Sequence, residues 1–371
     1  MAKRTKLALL AVPATALALL ATACGGSSGS ATATTKAGDT ATAGPATTAK
    51  VEAVTATLAA SGATFPKAFY DQAVADFKKK QPGISQAYGG GGSGKGRQDL
   101  ADQLVDWAGT DGLVKDEDKP KYKGGEFLYF PTVAAPITLS YNLSGVDKLQ
   151  LGADTIAKIF QRQITKWNDP AIAAENAAAK LPDKAIVVAR RSDGSGTTEN
   201  FTKFLVAGAP SSWTLKSGST VEWPADTQAG NGNAGVAAIV KGTDGAIGYV
   251  DLSDAKATGL KYAAIKNKAG KFVLPTLEGV TAALAATKPN ADLTYNPLWA
   301  DGDASYPIAA PTWIIVYKNQ TDKAKGTAIR VWLDYVLTEG QKTAPTLDYA
   351  ALPADILKGA KDQLSKLVIP A

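Results

Sequence analysis

The sequence predicts an α/β protein on two observations. Runs rich in β-branched and aromatic residues alternate with stretches whose apolar residues recur at helical spacing, and several runs end in small-residue turns that open the next helix. The clearest case is residues 185–205. Ala185-Ile186-Val187-Val188-Ala189 reads as a buried strand, Arg190 to Thr198 as a turn of small and polar residues, and Glu199 to Leu205 as a helix. At 371 residues, with 45% hydrophobic and 20% charged residues, the chain is long enough for two ordinary globular domains.

The first 57 residues stand apart from that pattern. Lys3, Arg4 and Lys6 precede an apolar run from Leu7 to Ala21, which is interrupted by Pro13 and too short and Ala/Thr-diluted to span a bilayer securely. Residues 1–23 therefore read as a secretory signal. Leu20-Ala21-Thr22-Ala23-Cys24 resembles a bacterial lipobox, with Ala21 where a large aliphatic residue is usual. Cys24 is the single cysteine, which excludes an intrachain disulfide and makes it the expected site of lipidation and membrane anchoring. Residues 24–57 are Gly/Ser-rich, then Ala/Thr-rich, and read as a flexible tether.

The folded part is expected from Leu58. Phe69, Ala73 and Phe77 at i+4 spacing predict a helix from Pro66 to Lys80, with Thr64 at a capping position and Pro66 in its first turn. Gly83 to Ala87 is a weak strand before the Gly89–Gly96 turn, and Leu100, Ala101, Leu104 and Val105 continue as a helix. Phe127–Val133 and Ile137–Tyr141 read as two strands broken by Ala134-Ala135-Pro136. Thr155–Ile164 is an amphipathic helix behind Asp154, stopped by Trp167-Asn168-Asp169-Pro170. After the 185–205 unit, Val236–Val240 is a short helix and Ala246–Val250 a buried strand. Pro307–Tyr317 returns as a β segment, followed by helices at Ala328–Leu337 and Ile356–Leu367.

Composition removes several classes of function. Without Lys3, Arg4 and Lys6 the processed chain carries 37 basic and 34 acidic side chains, a net +3, and the basic residues are scattered, so nucleic acid is not an expected partner. There is no histidine, which eliminates Ser-His-Asp triads and His-ligated metal centres. No metal or cofactor is expected. Two glycine motifs are decoys. Gly89, Gly94 and Lys95 fit G-x-x-x-x-G-K, but Gly96 stands where a nucleotide-binding loop needs Ser or Thr. Gly230-Asn231-Gly232-Asn233-Ala234-Gly235 fits G-x-G-x-x-G, yet Trp223 to Gln228 before it is no buried strand.

Three loops share one design. Thr64-Phe65, Ser93-Gly94 and Ser195-Gly196-Thr197-Thr198 each place hydroxyls and amides at a helix start, where orphan N–H groups and the helix dipole favour an anion. With Arg191, they point to convergence on a tetrahedral oxyanion. Those loops lie within S-G-A-T-F-P (Ser61–Pro66), G-S-G (Gly92–Gly94), G-T-D (Gly109–Asp111), F-P-T-V (Phe130–Val133), R-R-S-D-G-S-G-T (Arg190–Thr197), G-A-I-G-Y-V (Gly245–Val250) and L-D-Y-A-A-L-P (Leu347–Pro353). In this order, from about Leu58 to the C-terminus, they resemble the PstS family, the phosphate-binding components of bacterial phosphate ABC transporters.

The resemblance implies a periplasmic-binding-protein type II clamshell with two crossing strands, near Pro136–Tyr141 and Pro307–Tyr317. Lobe I would comprise 58–136 and 311–371, and lobe II 137–310. The implied phosphate contacts are Thr64, the Phe65 amide, Ser93, Asp111, Arg191, Asp193, Ser195, the Gly196 amide and Thr197. The implied partners are inorganic phosphate and the permease subunits of an ABC importer with their ATPase. The protein is expected to act as an extracytoplasmic, lipid-anchored monomer and not as an enzyme. Lys95 and Arg97 depart from the family's glycine-rich loop. Asp111 supplies a reason for selectivity: it can accept a hydrogen bond from a protonated phosphate, whereas sulfate would leave it facing an unpaired negative charge. Asp193 is placed to orient Arg191. The rival classes are an extracytoplasmic phosphoesterase, which lacks an activated nucleophile or an evident metal cluster, and a binder of another oxyanion.

Overall fold

The computed structural model describes residues 54–371; the signal segment, Cys24 and all but the last four tether residues lie outside the described residues. Strand β1 (Ala56–Gly62), which begins two residues inside the span assigned to the tether, leads to helix α1 (Lys67–Lys80). Then come β2 (Ile84–Gly91), α2 (Ser93–Ala101), β3 (Trp107–Thr110) and β4 (Phe127–Asn142). The middle of the chain runs β5 (Gln150–Leu151), α3 (Ala153–Phe160), α4 (Pro170–Glu175), β6 (Val187–Arg191), α5 (Gly196–Gly208), β7 (Gln228–Gly230), α6 (Gly232–Gly242), β8 (Ala246–Asp251) and α7 (Leu252–Thr258). Short strands β9 (Lys261–Tyr262), β10 (Ala264–Lys266) and β11 (Phe272–Val273) precede α8 (Leu277–Ala285), β12 (Ala309–Tyr317) and α9 (Lys323–Tyr335), and a helix at Ala354–Gln363 follows.

Nine strands form one mixed sheet in the order β2-β1-β3-β12-β4-β8-β6-β7, with β9 also on β4. Its organiser is β4. From Phe127 to Pro136 this strand pairs antiparallel with β12, and from Ile137 to Asn142 it pairs with β8. The expected break at Ala134-Ala135-Pro136 is absent, so the two predicted strands are one. A proline normally ends a strand because it cannot donate. Here Pro136 sits where β4 changes partner, and the next amide, Ile137 N, donates to Ile308 O at 3.0 Å. Pro131 and Pro311 instead flank a register shift between Thr312 and Trp313, the kind of bulge at which a residue without an N–H donor is tolerated.

The glycine-rich stretch also differs from expectation. Gly89–Gly91 are the last residues of β2 and not a free turn, since β2 pairs with β1 as far as Gly62↔Gly91. The parallel strands β1, β2 and β3 end beside the starts of α1 and α2, which aims both helix N-termini at one place. Below them an aromatic core holds the strands in position: Tyr88 stacks on Trp107 with centroids 5.1 Å apart, and Trp107 lies 5.6 Å from Trp332. A second cluster, with Phe201 stacked on Tyr249 at 4.5 Å and on the edge of Phe160 at 4.7 Å, supports α5 and β8.

Candidate functional site

Helix starts build the site. Strand β6 ends at Arg191, and residues 192–195 turn into α5, whose cap is Ser195: its Oγ accepts from Thr198 N at 3.0 Å. That bond satisfies one first-turn amide and leaves those of Gly196 and Thr197 without an intrahelical carbonyl. Helix α2 begins at Ser93 behind Gly92, whose φ of 91° favours glycine. Any side chain at Gly92 would overlap the Asp193 carboxylate and meet the Gly194 carbonyl at 2.5 Å. The two turns touch directly, Gly94 N donating to Gly194 O at 2.8 Å.

On one side Ser93, Asp111 and Gly196 come together. Ser93 Oγ accepts from Asp111 N at 3.1 Å and donates to Asp111 Oδ2 at 3.3 Å. Gly196 lies so close to both that a Cβ there would overlap Ser93 Oγ and sit 2.6 Å from Asp111 Cβ. Asp111 follows β3 and is buried, and its Oδ1 has no hydrogen-bond partner. Burial pushes its carboxyl up to about 7, while Thr312, Arg191, Ser93 and Arg97 pull the other way. A buried acceptor without a donor, 2% exposed, is a costly feature that a ligand hydroxyl would relieve.

On the other side Arg191 is clamped by Asp193. Arg191 Nε donates to Asp193 Oδ1 at 2.7 Å, and Nη2 donates to Oδ2 in the same fork. Burial would raise the Asp193 carboxyl, but Arg191 and the Gly232 amide outweigh it and hold it below the usual carboxylate range. Arg191 Nη1 reaches Asn233 Oδ1 at 2.9 Å and Thr197 Oγ1 at 3.4 Å. Thr64 joins from the start of α1, its Oγ1 accepting from Asn233 N at 3.3 Å. Phe65 turns its ring into the core, and its carbonyl accepts from Tyr349 Oη at 2.8 Å. Eight of the nine residues singled out from the sequence are thus brought together by contacts or chain adjacency, whereas Phe65 follows Thr64 with its ring in the core. The hydroxyls of Thr64, Ser195 and Thr197 already receive N–H donors, so each has its own hydrogen to give.

The model of the PBP superfamily domain matches residues 29–339. The phosphate-binding protein PstS of Methanocaldococcus jannaschii is 40% identical over 325 residues, covering 80% of this chain and 83% of the relative. The chain belongs to the PstS family. The PstS of Pasteurella multocida is 35% identical over 313 residues, covering 83% and 89%. Among solved structures, a high-affinity periplasmic phosphate-binding protein bound with phosphate superposes with a TM-score of 0.70 at 22% identity, over 83% of this chain and 94% of that one. The phosphate-binding protein of Stenotrophomonas maltophilia gives 0.65 at 20% identity, over 83% and 93%. The fold is therefore the two-lobed α/β periplasmic-binding-protein fold of the PstS family.

Several residues of this cluster were not singled out from the sequence. Asn233 is wholly buried at the start of α6 and touches Thr64, Arg191, Thr197 and Asp251. The signal was present in the Gly230–Gly235 motif, which fails as a dinucleotide loop but does open a fourth helix, after the short, largely exposed strand β7. Asn200 on α5 donates to Asp111 O at 2.7 Å, and Tyr249 Oη bonds to Thr198 Oγ1 at 2.7 Å and to Arg191 N at 3.1 Å. The departures in the glycine-rich loop divide: Lys95 pairs with Asp99 at 2.6 Å, whereas Arg97 turns toward Glu199. Among the described residues no helix is long and apolar enough to cross a membrane.

Proposed function

We propose that the protein binds inorganic phosphate outside the cytoplasm and delivers it to an ABC-type importer. One observation carries this: Asp111, a buried carboxylate with an unpartnered oxygen, lies against Ser93 and Gly196 at the starts of α2 and α5. Donors alone would suit any oxyanion. A single acceptor selects one that still carries a proton, as phosphate does near neutral pH and sulfate does not. The proposed contacts are the hydroxyls of Thr64, Ser93, Ser195 and Thr197, the amides of Phe65 and Gly196, the Arg191 guanidinium steadied by Asp193, and Asp111 as acceptor. Relatives named as phosphate-binding proteins support binding rather than catalysis.

Closure would be a hinge motion between lobe I (58–136 and 311–371) and lobe II (137–310). The change of partner along β4, between Pro136 and Ile137, supports that division. Lipidation at Cys24 would tether a monomer to the outer face of the membrane, near the permease subunits. Calorimetric titration with phosphate and sulfate at neutral pH tests the assignment. Phosphate should bind at least about a hundredfold more tightly, the 2.7 kcal/mol expected when a buried acceptor gains or loses its donor. Equal affinities would refute it, and so would turnover of a chromogenic phosphate ester that Asp111→Ala abolishes.

A further inference from the structure

We propose that Asp251 and Asn233 form a positioning relay that holds Arg191 and Thr197 in donor orientation toward the bound anion. The inference rests on the anion-binding reading above and extends it to residues that need not touch the ion.

A count of donors and acceptors leads to the relay. Thr197 Oγ1 receives Asn233 Nδ2 at 3.2 Å and Arg191 Nη1 at 3.4 Å. A hydroxyl accepts two hydrogen bonds and donates one, so Thr197 has its acceptor capacity filled and only its hydrogen left to offer. That result depends on which way the Asn233 amide faces. As placed, Oδ1 accepts from Arg191 Nη1 at 2.9 Å, and Nδ2 spends its two hydrogens on Thr197 and on Asp251 Oδ1 at 2.8 Å. A flipped amide would set its NH2 group against the guanidinium and its oxygen against Asp251 Oδ1, the acceptor of this contact. Asp251 therefore fixes Asn233, and Asn233 fixes both Thr197 and Arg191.

Helix capping alone does not account for Asp251. Its Oδ2 performs that task, accepting from Asp254 N at 3.2 Å and from Ser253 Oγ at 2.5 Å. A serine or asparagine would cap α7 equally well. Only an acid adds the second acceptor oxygen that faces Asn233. Burying that acid completely is expensive without such a use, and burial does raise Asp251 well above the ordinary carboxylate range, with Asp254 beside it adding to the rise. Asp251 also stands opposite Ile137, at the point where β4 leaves β12 for β8. The relay is thereby rooted in the sheet where β4 changes partner.

The test is a double-mutant cycle on the full chain, Asp251→Asn against Thr197→Val, read by calorimetry with inorganic phosphate and with sulfate. Each single variant should weaken the tighter-bound ion about tenfold, and the double variant should be no more than about twofold worse than the weaker single one. Both ions should lose affinity by similar factors, because the donors serve either. Losses that multiply to about a hundredfold, or unchanged binding in Asp251→Asn, would reduce Asp251 to a helix cap and overturn the relay. If Asp251→Asn does not fold, judged by its thermal midpoint without ligand, Asn233→Ala takes its place in the same cycle under the same criteria. Equal wild-type affinities for the two ions would sink the phosphate assignment while the cycle still judges the relay; wild-type binding of neither ion would overturn both.

Discussion

Arg97 of α2 and Glu199 of α5 face each other beside the site, Nη1 to Oε2 at 3.6 Å, and both side chains are largely buried. Each has a second hold: Arg97 Nη1 donates to Thr110 Oγ1 and Gly112 O at 3.1 Å, and Glu199 Oε1 accepts from Lys203 at 2.7 Å. The pair joins the two helices whose starts meet at Gly94 and Gly194, so on the proposed division into lobes it would act on the closed state more than on either helix alone. Glu199→Gln keeps the shape and removes the charge. It should cost about 1 kcal/mol of closed-state stability and speed phosphate release about fivefold. Stopped-flow release measured at low and high salt decides the matter; a release rate equal to wild type would rule out a role in closure.

Asp111 gives the protein a pH dependence of definite sign. Its carboxyl is pushed up to about 7 by burial, so the folded chain keeps a proton that the unfolded chain gives up near pH 4. The contribution of Asp111 to stability is therefore fully present below about pH 4 and is lost as pH rises toward 7, at up to about 1.4 kcal/mol per pH unit. Asp251 and Asp254, also raised, act in the same direction. The informative quantity is the difference from Asp111→Asn. That variant should show a flatter loss across this window and greater ligand-free stability than wild type at pH 8. Parallel urea-unfolding profiles for the two proteins from pH 4 to 8 would contradict the placement of Asp111.

Asp193 has the opposite sign. Its carboxyl stays below the ordinary range because Arg191 and the Gly232 amide outweigh burial. Its stabilisation is present above about pH 4 and fades as the pH drops through the depressed value. Asp193→Asn should leave the guanidinium with one acceptor oxygen at position 193 where it had two, weaken phosphate binding about tenfold and remove part of the acid-induced loss of stability. Affinity within a factor of two of wild type would show that Arg191 holds its position without the fork.

The parts of the site that were legible in the sequence are those written locally. Ala185 to Thr198 announces a strand, a turn and a capped helix because β-branched residues, small residues and a Ser at the cap are consecutive; the order holds, although the strand runs on to Arg191 and the helix already begins at Gly196. Features set by distant partners were not legible. Pro136 continues a strand only because β12 and β8 meet β4 on either side of it. Gly89–Gly91 look like a turn but are held extended by β1. Asn233 lies 42 residues from Arg191 and 18 from Asp251, and nothing in the local pattern joins them. The donors could be found from helix starts; the residues that aim them could not.

Gly196→Ala separates folding from binding most cleanly. Gly196 opens α5, where alanine is the better helix former, by roughly up to 1 kcal/mol in a helix interior. The ligand-free protein should therefore fold and melt near the wild-type temperature if its lobes are free to stand apart. In the closed arrangement the added methyl group would overlap Ser93 Oγ and crowd Asp111 Cβ and Oδ2 at 2.6 and 2.7 Å. None of these atoms is the far end of a flexible chain: Ser93 is wholly buried and bonded to Asp111, and Asp111 is anchored through its carbonyl to Asn200. The methyl group must hold the start of α5 away from α2, parting the Gly196 amide from Ser93 and Asp111. Phosphate affinity should fall by more than about a hundredfold, a cost of the size that overpacking imposes. Calorimetry paired with a ligand-free melt tests this. Tight binding in a well-folded Gly196→Ala variant would mean that Ser93, Asp111 and Gly196 do not meet in the bound state.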